Sequence, residues 1–303
     1  MRIIELGANT IELKGRFIKT AQIWREWDVD VDDPEAIVRA IADSGIRADL
    51  FTFAQRLPHT KPRFPYHMEM DNVAAIPIST YEEWWENQVN RRVRLKVRKS
   101  VREGVRIEKV EYDDDFVRGI MRIYNESPVR QGRAFRHFGK SFEETKEANG
   151  TYLDRADIFG AYYGEELIGF LKIVYGKEFA RTMGIMGKIA HRDKAPMNAL
   201  IAKAVETCVG KGVPYLTYGR YFYGHKGADS FSDFKRYNGF LKYDLPRYYV
   251  PLSALGRIAL MLNLHKGLKA ALPGWLIKPL LRLRKGAVEK LHGDRSKSGQ
   301  ENP

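Results

Sequence analysis

The run 158–174 reads Ile-Phe-Gly-Ala-Tyr-Tyr-Gly-Glu-Glu-Leu-Ile-Gly-Phe-Leu-Lys-Ile-Val. Two apolar stretches rich in aromatic and β-branched residues flank the polar turn Tyr163-Gly-Glu-Glu166, a pattern that predicts an antiparallel hairpin. The following segments extend it into a sheet. Residues 179–189 read as a third strand, 195–210 as a helix with Pro196 in its first turn, 215–218 as a strand, 230–238 as a helix and 241–250 as a last strand. Upstream, 105–110 alternates as a strand. Asp113 can cap a helix carrying Phe116, Ile120 and Ile123, and after the polar, aromatic loop 129–140 a short helix starts from Ser141. This order predicts an α+β fold, with a central mostly antiparallel sheet flanked by helices.

The strongest helical signal lies before that block. Thr80 with Glu83 fits a capping box, Trp85, Val89, Val93, Val97 and Val101 recur every four residues, and Gly104 is placed to end the helix. Residues 1–78 read as a reduced N-terminal α/β lobe, with strands in 10–18, 50–53 and 74–78 and a helix opened by Asp33-Pro34-Glu35. The expected divisions are 1–78, a larger α+β lobe over 79–251 that includes the basic helix 80–103, C-terminal basic amphipathic helices over 252–293, and a disordered tail from 294.

Net charge is +13, and two segments hold it. Arg91–Arg102 carries seven basic residues and no acidic one, and 254–292 carries a net +7, so the rest of the chain is close to neutral. Fields of this kind draw phosphate-bearing or membrane-surface partners, and each run also fits a solvated helix face. Cys208 is the only cysteine and lies in an apolar helical stretch, which rules out an internal disulfide and any site built from paired thiols. The seven histidines show no ligand spacing along the chain, and no metal is expected. The first residues lack an apolar signal core and no run reaches the length of a membrane span. The expected location is therefore cytoplasmic. In 276–291, Leu276, Leu280, Leu283, Ala287 and Leu291 share one face and Lys278, Arg282 and Lys285 another. A peripheral contact of 275–291 with the inner membrane surface is one expectation, and packing on its own domain the other.

Three strings carry a family likeness: 94–107, with its basic helix ending in a strand; 159–170, the hairpin; and Phe234-Lys-Arg-Tyr-Asn-Gly-Phe240 before the last strand. Together with the element order they resemble the GNAT superfamily and, within it, the Fem-type aminoacyl transferases that build peptidoglycan cross-bridges. The resemblance covers about residues 80–250. It implies a GNAT-like sheet and transfer of an acyl or aminoacyl group to an amine, with a cell-wall or polysaccharide precursor as a possible acceptor. The donor it implies is aminoacyl-tRNA or acyl-CoA, with no tightly bound cofactor and with tRNA meeting Arg91–Arg102. One departure concerns coenzyme A. The turn Ala190-His-Arg-Asp-Lys-Ala-Pro-Met-Asn198 lacks glycine, and Pro196 lacks an amide hydrogen, so a phosphate cradle of bare amides is not expected there.

By the resemblance, Lys235 is the candidate catalytic group, its ammonium stabilising the oxyanion of a reacting ester or thioester. Phe234 would shape the pocket, and Tyr218 would relay a proton to the leaving group. Tyr218-Gly-Arg-Tyr-Phe-Tyr-Gly-His-Lys226 follows a predicted strand, where Arg220, Tyr223 and Lys226 can meet substrate. Arg130, Gln131, Arg133 and His137 form a second candidate wall, with Arg133 as a fork for carboxylate or phosphate and His137 as a base. Arg192 and Lys194 are candidate contacts for a donor phosphate. Surface and core packing explain the same residue types. The alternative functions are an RNA- or anionic-surface-binding module on an inactive GNAT scaffold, and an acyl-CoA-dependent N-acyltransferase.

Overall fold

The computed structural model describes residues 2–7, 9–223 and 230–266. Along the chain these form β1 (Arg2–Leu6), β2 (Asn9–Lys14), β3 (Thr20–Ile23), α1 (Pro34–Asp43), β4 (Leu50–Ala54) and β5 (His67–Pro77). Then come α2 (Tyr81–Glu83), α3 (Arg91–Arg102), β6 (Val105–Lys109), α4 (Asp114–Tyr124), β7 (Val129–Arg130), β8 (Arg133–Ala134) and α5 (Phe142–Asn149). The last part holds β9 (Ala156–Tyr163), β10 (Glu166–Tyr175), β11 (Ala180–Gly187), α6 (Pro196–Gly210), β12 (Tyr215–Thr217), α7 (Ser230–Tyr237), β13 (Leu241–Pro251) and α8 (Ala254–Met261). The fold is α+β with a mostly antiparallel sheet, as its element order predicts.

Two compact units form, and neither is continuous in sequence. One takes Met1–Ala54, Arg63–Glu69 and the chain from Arg247 onward; the other takes Gln55–Pro62 and Met70–Pro246. Two of the borders fall inside strands, β5 and β13.

In the first unit, β1, β2 and β3 are antiparallel neighbours, β3 runs parallel to β4, and β4 is antiparallel to the end of β13. Asp33 caps α1 by accepting from the Ala36 amide at 2.9 Å. Phe51, Phe53, Ile37, Ile41 and Tyr248 are buried together, with the Tyr248 ring 5.0 Å from that of Phe53. Ser253 caps α8, whose Gly256 lies against the Asp49 carbonyl so closely that a Cβ would sit 1.9 Å from that oxygen. No helix among the described residues is long and apolar enough to cross a membrane. The segment 275–291 lies outside the described residues.

In the second unit, β6, β9, β10 and β11 are successive antiparallel neighbours. Side chains alternate across β9 and β10. Phe159, Leu171 and Ile173 join Leu200, Ile201 and Val205 of α6 in one cluster, while Ile158 and Phe170 join Phe116, Ile120 and Ile123 of α4 in another. Each such aliphatic or aromatic side chain contributes about 1.5–3 kcal/mol by leaving water. Ser141 forms the capping box of α5 with Glu144, and Asp113 caps α4.

Two local expectations are corrected. Residues 80–103 do not make one helix: α2 passes into a π-helical turn over Trp84–Gln88, and Val89 and Asn90 are both extended. Asn90 then caps a new helix, α3, by accepting from the Arg92 amide at 2.9 Å, while its own amide donates to Tyr237 O. The break shifts the stripe, so that Val89 and Val93 are buried and Val101 is 68% exposed. The segment 129–140 is not wholly irregular, since β7 and β8 pair through Gln131 (φ 52°) and Gly132 (φ 71°), a two-residue turn with both residues left-handed.

Lys172, in the middle of β10, is buried and donates to the carbonyls of Asn149 and Thr151 at the end of α5. Burial lowers its pKa to about 8, against the opposing pull of Asp154. The folded amine therefore releases its proton before the unfolded one, at its ordinary value of 10.5, does. Stability gains from this group as pH rises from about 8 towards 10.5. Urea midpoints measured across that window are expected to rise more in the wild type than in Lys172→Met; equal slopes would refute the assignment.

Candidate active site

In the second unit β11 and β12 run parallel, but their register covers only Ala180↔Leu216 and Arg181↔Thr217. β12 is only three residues long, whereas β11 continues to Gly187. A bulge at Met183, where Lys172 pairs with Gly184 and Ile173 with Thr182, adds local bend to β11. Where the two strands part, the start of α6 and the length of α7 border a cleft of about 810 Å³. Ile185, Met186 and Gly187 of β11, Pro196, Met197 and Asn198 of α6, and Tyr218 just after β12 line it.

The string Phe234-Lys-Arg-Tyr-Asn-Gly-Phe240 builds one wall of this cleft. Phe234, Tyr237 and Asn238 line it. Asn238 is fully buried and ties three elements together: its Oδ1 accepts from Asn198 Nδ2 at 3.1 Å, its Nδ2 donates to Phe234 O at 2.7 Å, and its carbonyl accepts from Trp84 Nε1 at 3.1 Å. Gly239, at φ 87°, ends α7; the Phe240 amide returns to Lys235 O and the Gly239 amide to Arg236 O, which is the Schellman arrangement. A Cβ on Gly239 would lie 3.0 Å from Trp84 Nε1. Asn198 and Asn238 were not singled out by sequence. The visible signal was Asn-Gly directly after a helical run.

Lys235 has no exposed surface. Its Nζ donates to Arg220 O and lies 4.4 Å from the Phe231 ring centroid, 4.9 Å from that of Tyr223 and 5.0 Å from that of Tyr218. It sits one layer behind the cleft, for Tyr218, Phe231 and Phe234 form the wall and Lys235 does not. Such aromatic faces attract an ammonium that has lost its water. The turn after β12 is fixed to β5: Tyr218 N donates to Ala74 O, Ala74 N to Gly219 O, and Phe222 N to the Asn72 side chain. Burial, and then the neighbouring Tyr223, raise the pKa of Tyr218, so its hydroxyl keeps its proton at neutral pH.

The remaining candidates divide by location. Arg130 and Gln131 line the cleft. Arg130 is half-buried and donates to Gly187 O at 2.9 Å and Ile123 O at 2.6 Å, with Glu126 Oε2 at 3.1 Å, so it knits the 129–134 hairpin to β11. Burial lowers its pKa. Arg133 and His137 are not on the cleft wall. His137 stacks on Tyr124 at 4.7 Å, and its Nε2 accepts from Arg136 Nε. Burial, then Arg136 and Lys140, push its pKa down to about 4, which leaves it neutral and weakly basic at physiological pH. Arg220 pairs with Asp71 at 3.0 Å, Tyr223 is half exposed, and Lys226 lies outside the described residues.

The charged part of the wall is set by α3 and the turn before α6. Arg192 and Lys96 line the cleft and are exposed, and among the described residues neither side chain has an ion pair or hydrogen bond. Lys194 instead pairs with Glu103 at 3.6 Å and lies 4.4 Å from the Tyr163 ring. Part of the basic run on α3 is spent locally, Arg94 on the carbonyls of Trp85 and Glu86 and Lys99 on that of Asp193. The first amide of the glycine-free turn and the one before it are taken as well, since Ala190 N and Ile189 N donate to the Glu126 carboxylate at 2.8 and 2.6 Å. Ala195, at φ 54°, and Pro196 then open α6.

No family model and no curated protein matches this chain. Solved structures do. The C-terminal domain of an Agrobacterium fabrum protein described as a lysylphosphatidylglycerol synthetase is similar with a TM-score of 0.56 and 14% identity, over 86% of each chain. The structure of L-PGS from Bacillus licheniformis gives 0.54 and 14%, over 86% of this chain and 87% of that one. The structure of FemX gives 0.51 and 10%, over 84% and 86%. At these identities the likeness is one of fold alone.

Proposed function

We propose that the cleft of the second unit transfers an acyl or aminoacyl group from a phosphate-bearing carrier to an amine. The observation that carries this reading is the buried Lys235 ammonium, held by aromatic rings directly behind the wall that presents Tyr218. In the reaction the amine nitrogen attacks the carbonyl carbon of the ester or thioester. A C–N bond forms, the C–O or C–S bond breaks, the leaving atom takes a proton from the Tyr218 hydroxyl, and the proton lost by the amine restores it. Charge that develops on the carbonyl oxygen is stabilised by Lys235 through a medium poor in water, where a unit charge acts far more strongly than in solvent. Phe234 and Phe231 supply an apolar wall against which the carrier's terminal group can rest. Names borne by the similar folds, FemX and lysylphosphatidylglycerol synthetase, support transferase chemistry.

Lys96 and Arg192 are the proposed grip on the carrier's phosphates. Each presents a positive charge on the wall, and two amides at the start of the turn before α6, those of Ile189 and Ala190, are engaged by Glu126. This favours aminoacyl-tRNA over acyl-CoA as donor. The test is steady-state transfer from charged tRNA and from acyl-CoA thioesters to amine acceptors. The double variant Lys96→Ala with Arg192→Ala is expected to raise KM for the donor at least about tenfold, the worth of one charge-assisted hydrogen bond of about 1.5 kcal/mol, while kcat changes little. An unchanged donor KM would remove both residues from the site. Transfer from neither donor, with tRNA still bound, would favour an RNA-binding scaffold.

A further inference from the structure

The first unit holds a group of ligand-type side chains that acyl transfer leaves unused. His67 and Glu69 stand two residues apart on β5, so both project from one face of the strand, and His265 arrives from the 3-10 turn Leu264–Lys266 that follows α8. One ring nitrogen from each histidine and one Glu69 oxygen lie within 4.8 Å of one another. His265 Nε2 is 2.8 Å from Glu69 Oε1, and His67 Nε2 is 3.7 Å from the same oxygen. Zinc in tetrahedral coordination, with bonds of about 2.0–2.1 Å, sets its ligand atoms about 3.4 Å apart. No pair therefore has to close by more than about 1.4 Å to hold an ion.

A second observation concerns His265. Its side chain is 1% exposed, its ring packs 4.6 Å from that of Tyr249 and 5.6 Å from that of His67, and its buried Nδ1 has no hydrogen-bond partner among the described residues. The nitrogen that faces the Glu69 carboxylate is Nε2, so the ring presents one edge to the cluster. The opposite side is open, because His67 is 41% exposed, so an ion can enter from solvent and keep a water on its free position. In the structure the Lys266 ammonium sits 2.9 Å from the same Glu69 oxygen; its side chain is 42% exposed and can swing into solvent when a doubly charged ion arrives.

We propose that His67, Glu69 and His265 form a divalent transition-metal site, with zinc the ion best matched to two imidazoles and one carboxylate. The ion staples the start of β5 to the turn after α8. Sequence spacing does not show the site, because its third ligand lies 196 residues from Glu69.

The test uses the full chain without an affinity tag, stripped with chelator and titrated with Zn²⁺ by calorimetry and with Co²⁺ by visible absorption. The expected result is one saturable equivalent at micromolar concentration or below, the d–d bands of low-coordinate Co²⁺, and a thermal midpoint that rises with free Zn²⁺. His67→Ala and Glu69→Gln should each weaken binding more than about tenfold, the loss that removal of even an outer-shell partner brings. Lys266→Gln, which removes the competing cation, should tighten it. The proposal is overturned by absence of saturable binding, or by binding that survives both His67→Ala and Glu69→Gln; the three residues would then be an ion-pair cluster only.

Discussion

Lys235→Met is expected to lower the turnover of acyl transfer by about 10²–10³-fold, the range seen when one preorganised stabiliser of an oxyanion is removed. Methionine has nearly the length of lysine and packs well among aromatic rings, so the cage of Tyr218, Tyr223 and Phe231 keeps its filling while losing the charge. The loss should fall on kcat, because Lys235 lies behind the wall and not on it. Circular dichroism and the urea midpoint report whether the variant is folded. Lys235→Arg should not rescue, since a planar fork does not fit a cage sized for a small ammonium. A folded methionine variant with unchanged kcat would end the electrostatic role assigned to this residue.

The second large effect is on stability. Trp84→Ala should cost about 3–5 kcal/mol, the usual range for truncating a buried aromatic side chain to a methyl group, read as a lowered urea midpoint with a similar m-value. Trp84 is among the largest fully buried side chains, and it touches the other elements at the point that matters most for the cleft. Its Nε1 holds the Asn238 carbonyl, and its ring closes the space beside Gly239. Removing it both opens a cavity and frees the end of α7, so donor KM and kcat should worsen together. Trp84→Phe isolates the hydrogen bond: it should cost about 1–3 kcal/mol, chiefly from the unpaired Asn238 carbonyl. A Trp84→Ala variant as stable as the wild type would show that the π-helical turn is not part of the core.

The helix over 80–103 shows where local reading fails. Valine every four residues is a sound sign of one buried face, and Val89 and Val93 are indeed buried. What the pattern omits is Asn90, whose amide is claimed by the carbonyl of Tyr237, far away in the chain. That contact makes extended backbone at 89–90 more favourable than another helical turn. His137 shows the same limit for chemistry. Its residue type suits a base, but burial, and then the charges of Arg136 and Lys140, take its basicity away. Arg130 likewise reads as part of a substrate-binding wall, and the fold spends it on the carbonyls of Gly187 and Ile123.

Caps, turns and strand alternation were legible because each depends on residues a few positions apart. Asp33, Asp113 and Ser141 satisfy amides three residues onward, and the turn at Gly164 joins strands that pair immediately. The motif 234–240 was legible as a string, since its Asn-Gly ends a helix by local backbone geometry. Only the tertiary structure decided that Lys235 is buried among rings, that Lys96 and Arg192 share a wall with Tyr218, and that His67, Glu69 and His265 meet. Those outcomes depend on burial and on long-range pairing. The free energy of a charge or a ring nitrogen is set by what surrounds it, and here the surroundings come from parts of the chain that are neighbours only after it folds.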